Sequence, residues 1–299
     1  MASEQGTYYV PEQSKLPIFA SLGLFLTVYG AANWMNGNDI GPSIFFCGSL
    51  LFAFVLWTWF STVISENMAG MNDAQLKRSY VWGMGWFIFS EVMFFAAFFG
   101  ALYYIRAFSV PWLGGEGERG SSNMLWGSFE AAWPLMTTPD AALNGEAARV
   151  TGPEQSMGWQ GLPLYNTIIL LTSSVTVHFA HTALKSDKRK AFNYWLGASV
   201  LMGIVFLILQ VEEYIHAYNE LGLTLDSGVY GTTFFMLTGF HGAHVTLGTF
   251  MLLVMWCRSV FKGHFTADDH FGFESASWYW HFVDVVWVGL FIFVYILGS

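Results

Sequence analysis

Glu91 sits in the segment FIFSEVMFFAAFFGALYY, where every near neighbour is apolar except Ser90. An ionisable residue inside such a stretch is costly in a bilayer and is therefore a functional candidate by default. At ~1.5 Å of rise per residue, Glu91 lies ~16 Å from the inner end of its apolar stretch, near mid-bilayer. An isolated carboxylate is poorly solvated there, so the carboxyl is expected to be protonated or hydrogen-bonded. Two readings are open: a neutral Glu that glues two helices together, and a proton-relay or gating site.

His241 and His244, in TGFHGAHVTLG, have the i,i+3 spacing that places them on one helix face. Gly239, Gly242 and Gly248 in the same stretch let another helix approach closely. His244 matches Glu91 in depth, so a bond between their two helices is geometrically possible. Asp284 lies slightly further toward the inner side, with His281 one turn below it. The bland alternative for each histidine is a satisfied packing residue. A second pair, His178 and His181, shares the i,i+3 spacing but lies near the inner end of its helix. Haem ligands from facing helices share one depth, so a haem bridging the two pairs is disfavoured. Glu212 and Glu213, in LQVEEYIHAY, are expected to be solvated at the outer surface, with Glu213 close enough to pair with another helix.

The segment RSVFKGHFTADDHFGFESASWYW carries Arg258, Lys262, His264 and His270 beside Trp278 and Trp280. Basic and aromatic residues at an interface suit an anionic lipid headgroup. Ordinary anchoring of a positive inner surface explains the same charges. Asp268, Asp269 and His270 are adjacent in a loop and are a weak metal signal, so no metal is assigned. No phosphate loop, dinucleotide fingerprint or nucleophile elbow is present, and no complete active site is visible.

Seven apolar stretches must position these residues, at about 16–35, 40–64, 80–104, 162–184, 192–215, 231–257 and 275–297. Each reaches the ~20 residues needed to cross ~30 Å of hydrocarbon. A lone strand in lipid would leave its backbone groups unpaired, so the stretches are helices. Of the 299 residues, 54% are hydrophobic and 11% charged, too few charges for a water-facing surface. The expected fold is all-α, one integral membrane domain of seven transmembrane helices. The net charge is −9 with no basic stripe, which excludes nucleic acid as a partner. Cys47 and Cys257 are far apart within apolar runs, so neither a disulfide nor a thiolate site is expected.

With the N-terminus inside, the inner segments hold Lys15, Lys77, Arg78, Lys185, Lys188, Arg189, Lys190, Arg258 and Lys262, and the outer ones only Arg106, Arg119 and Arg149. That asymmetry puts the N-terminus in the cytoplasm and the C-terminus outside. The opening residues show no cleavable signal peptide. With acidic outer loops, this suits a bacterial inner membrane and a periplasmic C-terminus. The outer loop, about 109–161, is polar and rich in Gly, Glu, Asp and Pro, with a short helix expected near 124–132. No internal repeat of the transporter kind is visible.

The motifs FSEVMFFAAFFGALYY, LDSGVYGTTFFMLTGFHGAHV and HFGFESASWYWHFVDVVW closely resemble cytochrome c oxidase subunit III. LPLYNTIILLTSSV and FLILQVEEY fit as well, and the resemblance runs from about residue 15 to the C-terminus. The first two helices look like the cytochrome c branch rather than the shorter quinol-oxidase form. The resemblance implies a non-catalytic subunit with no haem or copper of its own, those cofactors being in partner subunits. It implies direct packing on oxidase subunit I, subunit II in the same complex, and cytochrome c as electron donor. It also implies that the first two helices splay from the other five, leaving a cleft for phospholipid, and that the subunit sustains proton uptake and protects the catalytic centre. By motif, Glu91 corresponds to the family's buried carboxylate and His241 and His244 to its paired histidines. Arg258, Lys262, His270, Glu274 and Trp278 correspond to its lipid-contact region. The chain departs from the family at Ser61 and Ser65, where many members carry arginines. The rival functions are a proton-coupled transporter and a haem-bearing membrane cytochrome.

Overall fold

A computed structural model describes residues 13–298. Among them there is no strand, and seven helices are long and apolar enough to cross a membrane. They are α1 Leu16–Met35, α2 Gly41–Met68, α3 Ala74–Tyr104, α4 Leu162–Lys185, α5 Arg189–Glu220, α6 Gly228–Lys262 and α7 Phe271–Leu290. Most run several residues past the apolar stretches that announce them. Asp73, for example, accepts the Leu76 N–H at 2.7 Å and so starts α3 within polar sequence. A helix satisfies its own backbone, and a capping side chain lets it extend past the hydrocarbon limits.

The chain divides into two compact units after Gly83, within α3. In the first unit α1 and α2 form an antiparallel hairpin whose backbones nearly touch. A Cβ on Gly30 would lie 2.2 Å from the Phe45 nitrogen, and one on Gly48 2.5 Å from that of Thr27. Without a hydrophobic drive between helices in lipid, such close backbone packing supplies the attraction. The turn between them closes on Asn38, whose amide donates to Asn33 Oδ1 at 3.1 Å.

In the second unit, α4, α5, α6 and α7 pack in a ring, each against two neighbours. The centre is aromatic: Trp280, Trp287, Phe192, Phe206, Phe234 and Tyr295 are all fully enclosed. Indole N–H groups find partners there, Trp280 donating to Ser173 Oγ and Trp287 to Thr167 Oγ1, both at 2.9 Å. Of the apolar window of α7, 56% is buried, against 11% in α3, so α7 is the core helix and α3 presents most of its surface outward. A π-helical turn, Ile105–Ser109, carries α3 on to Leu113, and another, Phe291–Ile296, ends α7.

The outer connection differs from its expectation. The segment 126–132 is not helical, and a 3₁₀ turn occupies Gly120–Leu125. The α-helical piece is Pro139–Asn144, where Thr138 caps the N–H of Ala141 at 3.1 Å and Pro139 begins the first turn. Thr-Pro-Asp supplies the cap, the preset φ and the first-turn acid together, which 124–132 lacks. Bonds from Asn144 and from the backbone N–H groups of Val150 and Arg149 hold the Asp140 carboxyl below its usual range.

Candidate functional site

Glu91 on α3 and His244 on α6 meet: Oε2 and Nε2 lie 2.9 Å apart, both side chains largely shielded. His244 Nδ1 lies 2.6 Å from the carbonyl oxygen of Phe240. A carbonyl only accepts, so Nδ1 carries a hydrogen. The contact with Glu91 then needs a proton between its two atoms. Either a carboxyl donates to a neutral imidazole, or an imidazolium donates to a carboxylate. In both cases the pair holds one proton and no net charge, which avoids the ~2.5–3.5 kcal/mol that a lone mid-bilayer charge costs on insertion scales.

Aromatic rings enclose the pair. Phe95 packs edge-on to His244 with centroids 4.9 Å apart, and Tyr279 stacks at 6.3 Å and 14°. Phe94 bridges to Phe240 on α6 at 5.1 Å. The second oxygen of Glu91 has Ser90 Oγ at 3.4 Å, a long contact. One helical turn before His244, His241 is fully buried and neither ring nitrogen has a hydrogen-bond partner. It lies against Trp287 at 5.1 Å, with Phe206 and Phe95 around it. His241 and His244 thus share a face but differ in role: His244 bonds across to α3, and His241 is held by rings alone.

Asp284 belongs elsewhere. On α7 its Oδ2 lies 3.4 Å from His281 Nδ1, which also meets Ser174 Oγ of α4 at 2.8 Å, while Oδ1 is buried without a partner.

The family model described as Cytochrome c oxidase subunit III matches residues 6–116 and 123–299. The chain belongs to the cytochrome c oxidase subunit III family. It is similar to proteins named Cytochrome c oxidase subunit 3 from Oryctolagus cuniculus (36% identity over 300 residues, all of both chains) and Drosophila melanogaster (37% over 293 residues, 98% of this chain and 97% of that one). The protein of that name from Oncorhynchus mykiss is 34% identical over 302 residues, again the full length of both.

The five residues that resemblance to subunit III placed in one lipid-contact region lie around the α6–α7 turn, where the Arg258 guanidinium comes close to Gly272 at the start of α7. Arg258, half-buried near the end of α6, lies over the Phe265 ring at 4.6 Å and points Nε at His264 Nδ1, 3.4 Å away. Lys262 is exposed. Trp278 packs edge-on against Phe271 at 6.0 Å. His270 instead faces His181 of α4, Nε2 to Nε2, at 3.3 Å, and Glu274 lies one turn along α7 from it. Burial, then the charges of Arg258, Lys262 and Arg189, hold the His264 imidazole below its usual value.

Three groups of this subunit III chain escape sequence reasoning. Arg189, at the start of α5, donates to Ser259 Oγ at 3.2 Å and to the carbonyl oxygens of His264 and Phe265. It fixes a turn in which Phe265 has φ +71°, a conformation costing a bulky residue ~1–2 kcal/mol. His178 is exposed, whereas its partner by spacing, His181, is engaged. Glu213 is not a solvated cap but does pair with another helix, as its position allowed: it is fully buried and accepts the Tyr295 hydroxyl at 2.6 Å. The adjacent Glu212 is exposed, so the doubled EE hides one residue of each kind. The signal was Gln210, which shares with Glu213 the inward face of α5.

Proposed function

We propose that this chain is the non-catalytic third subunit of a respiratory oxidase that passes electrons from cytochrome c to oxygen and pumps protons. The observation that carries this is the family match, which spans the chain from residue 6 to 299 with one short gap. Haem and copper belong to partner subunits in this reading. The four histidines that a haem-bearing chain would offer support it, because they lie in separate surroundings. His244 bonds Glu91, His241 is enclosed by rings, His181 faces His270 and His178 is exposed.

The subunit packs directly on subunit I, with subunit II in the same complex, and it binds phospholipid. Its part in proton uptake is to hold a neutral, proton-bearing Glu91–His244 pair in an aromatic cage on α3 and α6. Arg258, Lys262 and Trp278 are the headgroup contacts, in a turn braced by Arg189. The membrane is a bacterial inner membrane, with the N-terminus cytoplasmic and the C-terminus periplasmic. The excess of basic residues in the inner segments supports that orientation. The test is gentle purification of the tagged chain from its own membranes. Haem-bearing partners are expected to come with it, and purification of the chain alone or with unrelated partners contradicts the reading.

A further inference from the structure

His181 and His270 meet where the inner end of α4 faces the start of α7. Their Nε2 atoms are 3.3 Å apart and their rings are inclined at 66°. At that separation the contact is a long hydrogen bond, beyond the about 2.9–3.0 Å usual for N–H···O. Two nitrogens bound to one tetrahedral zinc at ~2.0–2.1 Å stand ~3.3 Å apart. The second ring nitrogen of His270 lies 3.0 Å from the carbonyl oxygen of Thr266. That carbonyl takes the Nδ1 hydrogen, leaving a neutral Nε2 lone pair aimed at His181. Metal-binding histidines are oriented in this way, by donating the other ring N–H to a carbonyl. The Thr266 turn is itself fixed, its hydroxyl accepting the Asp269 N–H at 3.0 Å. Glu274 is four residues beyond His270 on the same helix face and within electrostatic reach of His181.

We infer that His181 and His270 form a binding site for a zinc-class divalent cation at the inner end of the bundle, with Glu274 and water completing the coordination. Among the described residues no three such side chains already converge on one point. The site is therefore two nitrogens in place and a carboxylate that swings in when the ion binds. Imidazole nitrogens with a carboxylate select zinc over magnesium or calcium, which prefer oxygen alone. A bound ion would pin α4 to α7 beside the lipid-facing turn. The site lies within this chain, so its test stands whichever partners accompany it.

The tagged chain is purified with its accompanying subunits, stripped with a chelator and dialysed against zinc chloride, and its zinc is counted by mass spectrometry. Wild type is expected to hold one more zinc per complex than His181→Ala or His270→Ala, and Glu274→Gln to need higher free zinc for the same occupancy. Equal zinc in wild type and His270→Ala overturns the site. Wild-type protein gives an answer independent of variant folding: zinc is expected to protect His181 and His270 from diethyl pyrocarbonate. Modification of both at an unchanged rate overturns the site as well.

Discussion

At Glu91 the deciding fact is a hydrogen, not a distance. Because His244 must donate Nδ1–H to Phe240, the 2.9 Å contact with Glu91 encloses one proton in either tautomeric arrangement. Carbodiimides attack a carboxyl that holds its proton, so they report whether Glu91 or His244 owns it. Labelling of the purified complex is expected to modify Glu91, and Glu91→Gln is expected to abolish that label. Rapid labelling of other carboxyls with Glu91 inert would contradict the assignment. Depth alone placed Glu91 and His244 within reach in the sequence, since both count to mid-bilayer from the inner ends of their stretches. Depth could not separate His241 from His244, or Glu212 from Glu213. Those pairs differ in the direction each side chain leaves its helix, and the partners it meets are remote in sequence, 153 residues away for His244 and 82 for Glu213.

Among the elements, the α1–α2 hairpin is the simplest to test. Gly30→Val would drive a side chain into the Phe45 backbone, which cannot yield as a flexible side chain would. Overpacking of this kind costs ~1–3 kcal/mol. The variant is expected to lower the melting temperature of the subunit, and an unchanged melt would show that the hairpin opens freely. The inner turn between α6 and α7 tests the lipid assignment. Replacing Arg258 and Lys262 with Gln is expected to reduce co-purified anionic phospholipid, and unchanged lipid would leave those charges as topology signals alone. The spans of all seven helices were legible because hydrocarbon thickness imposes a length on the apolar run. Their ends were less so, because caps such as Asp73 and the π turns extend a helix where hydropathy has already fallen. The outer helix was misplaced for a related reason: Thr138-Pro139-Asp140 outweighs the mildly helical composition of 124–132.

In the whole molecule, the four-helix ring of α4–α7 is stabilised by aromatic packing and a few buried polar bonds, among them Glu213 to Tyr295 and Trp280 to Ser173. Outside that ring the helices expose large apolar side chains, Trp82, Trp86, Trp57 and Phe60 among them. Lipid and partner subunits both suit such surfaces, and membership of the subunit III family names the assembly in which the partners are to be sought. Composition and a few long motifs were enough to reach that family. The contact between His181 and His270 became visible only once α4 met α7. The most direct measurement of the central claim is a reduced-minus-oxidised visible spectrum of the gently purified chain, taken before and after its partners are separated. Haem bands that appear in the complex and leave with the partners are the predicted result; haem that stays on this chain, or that appears at neither stage, would contradict it.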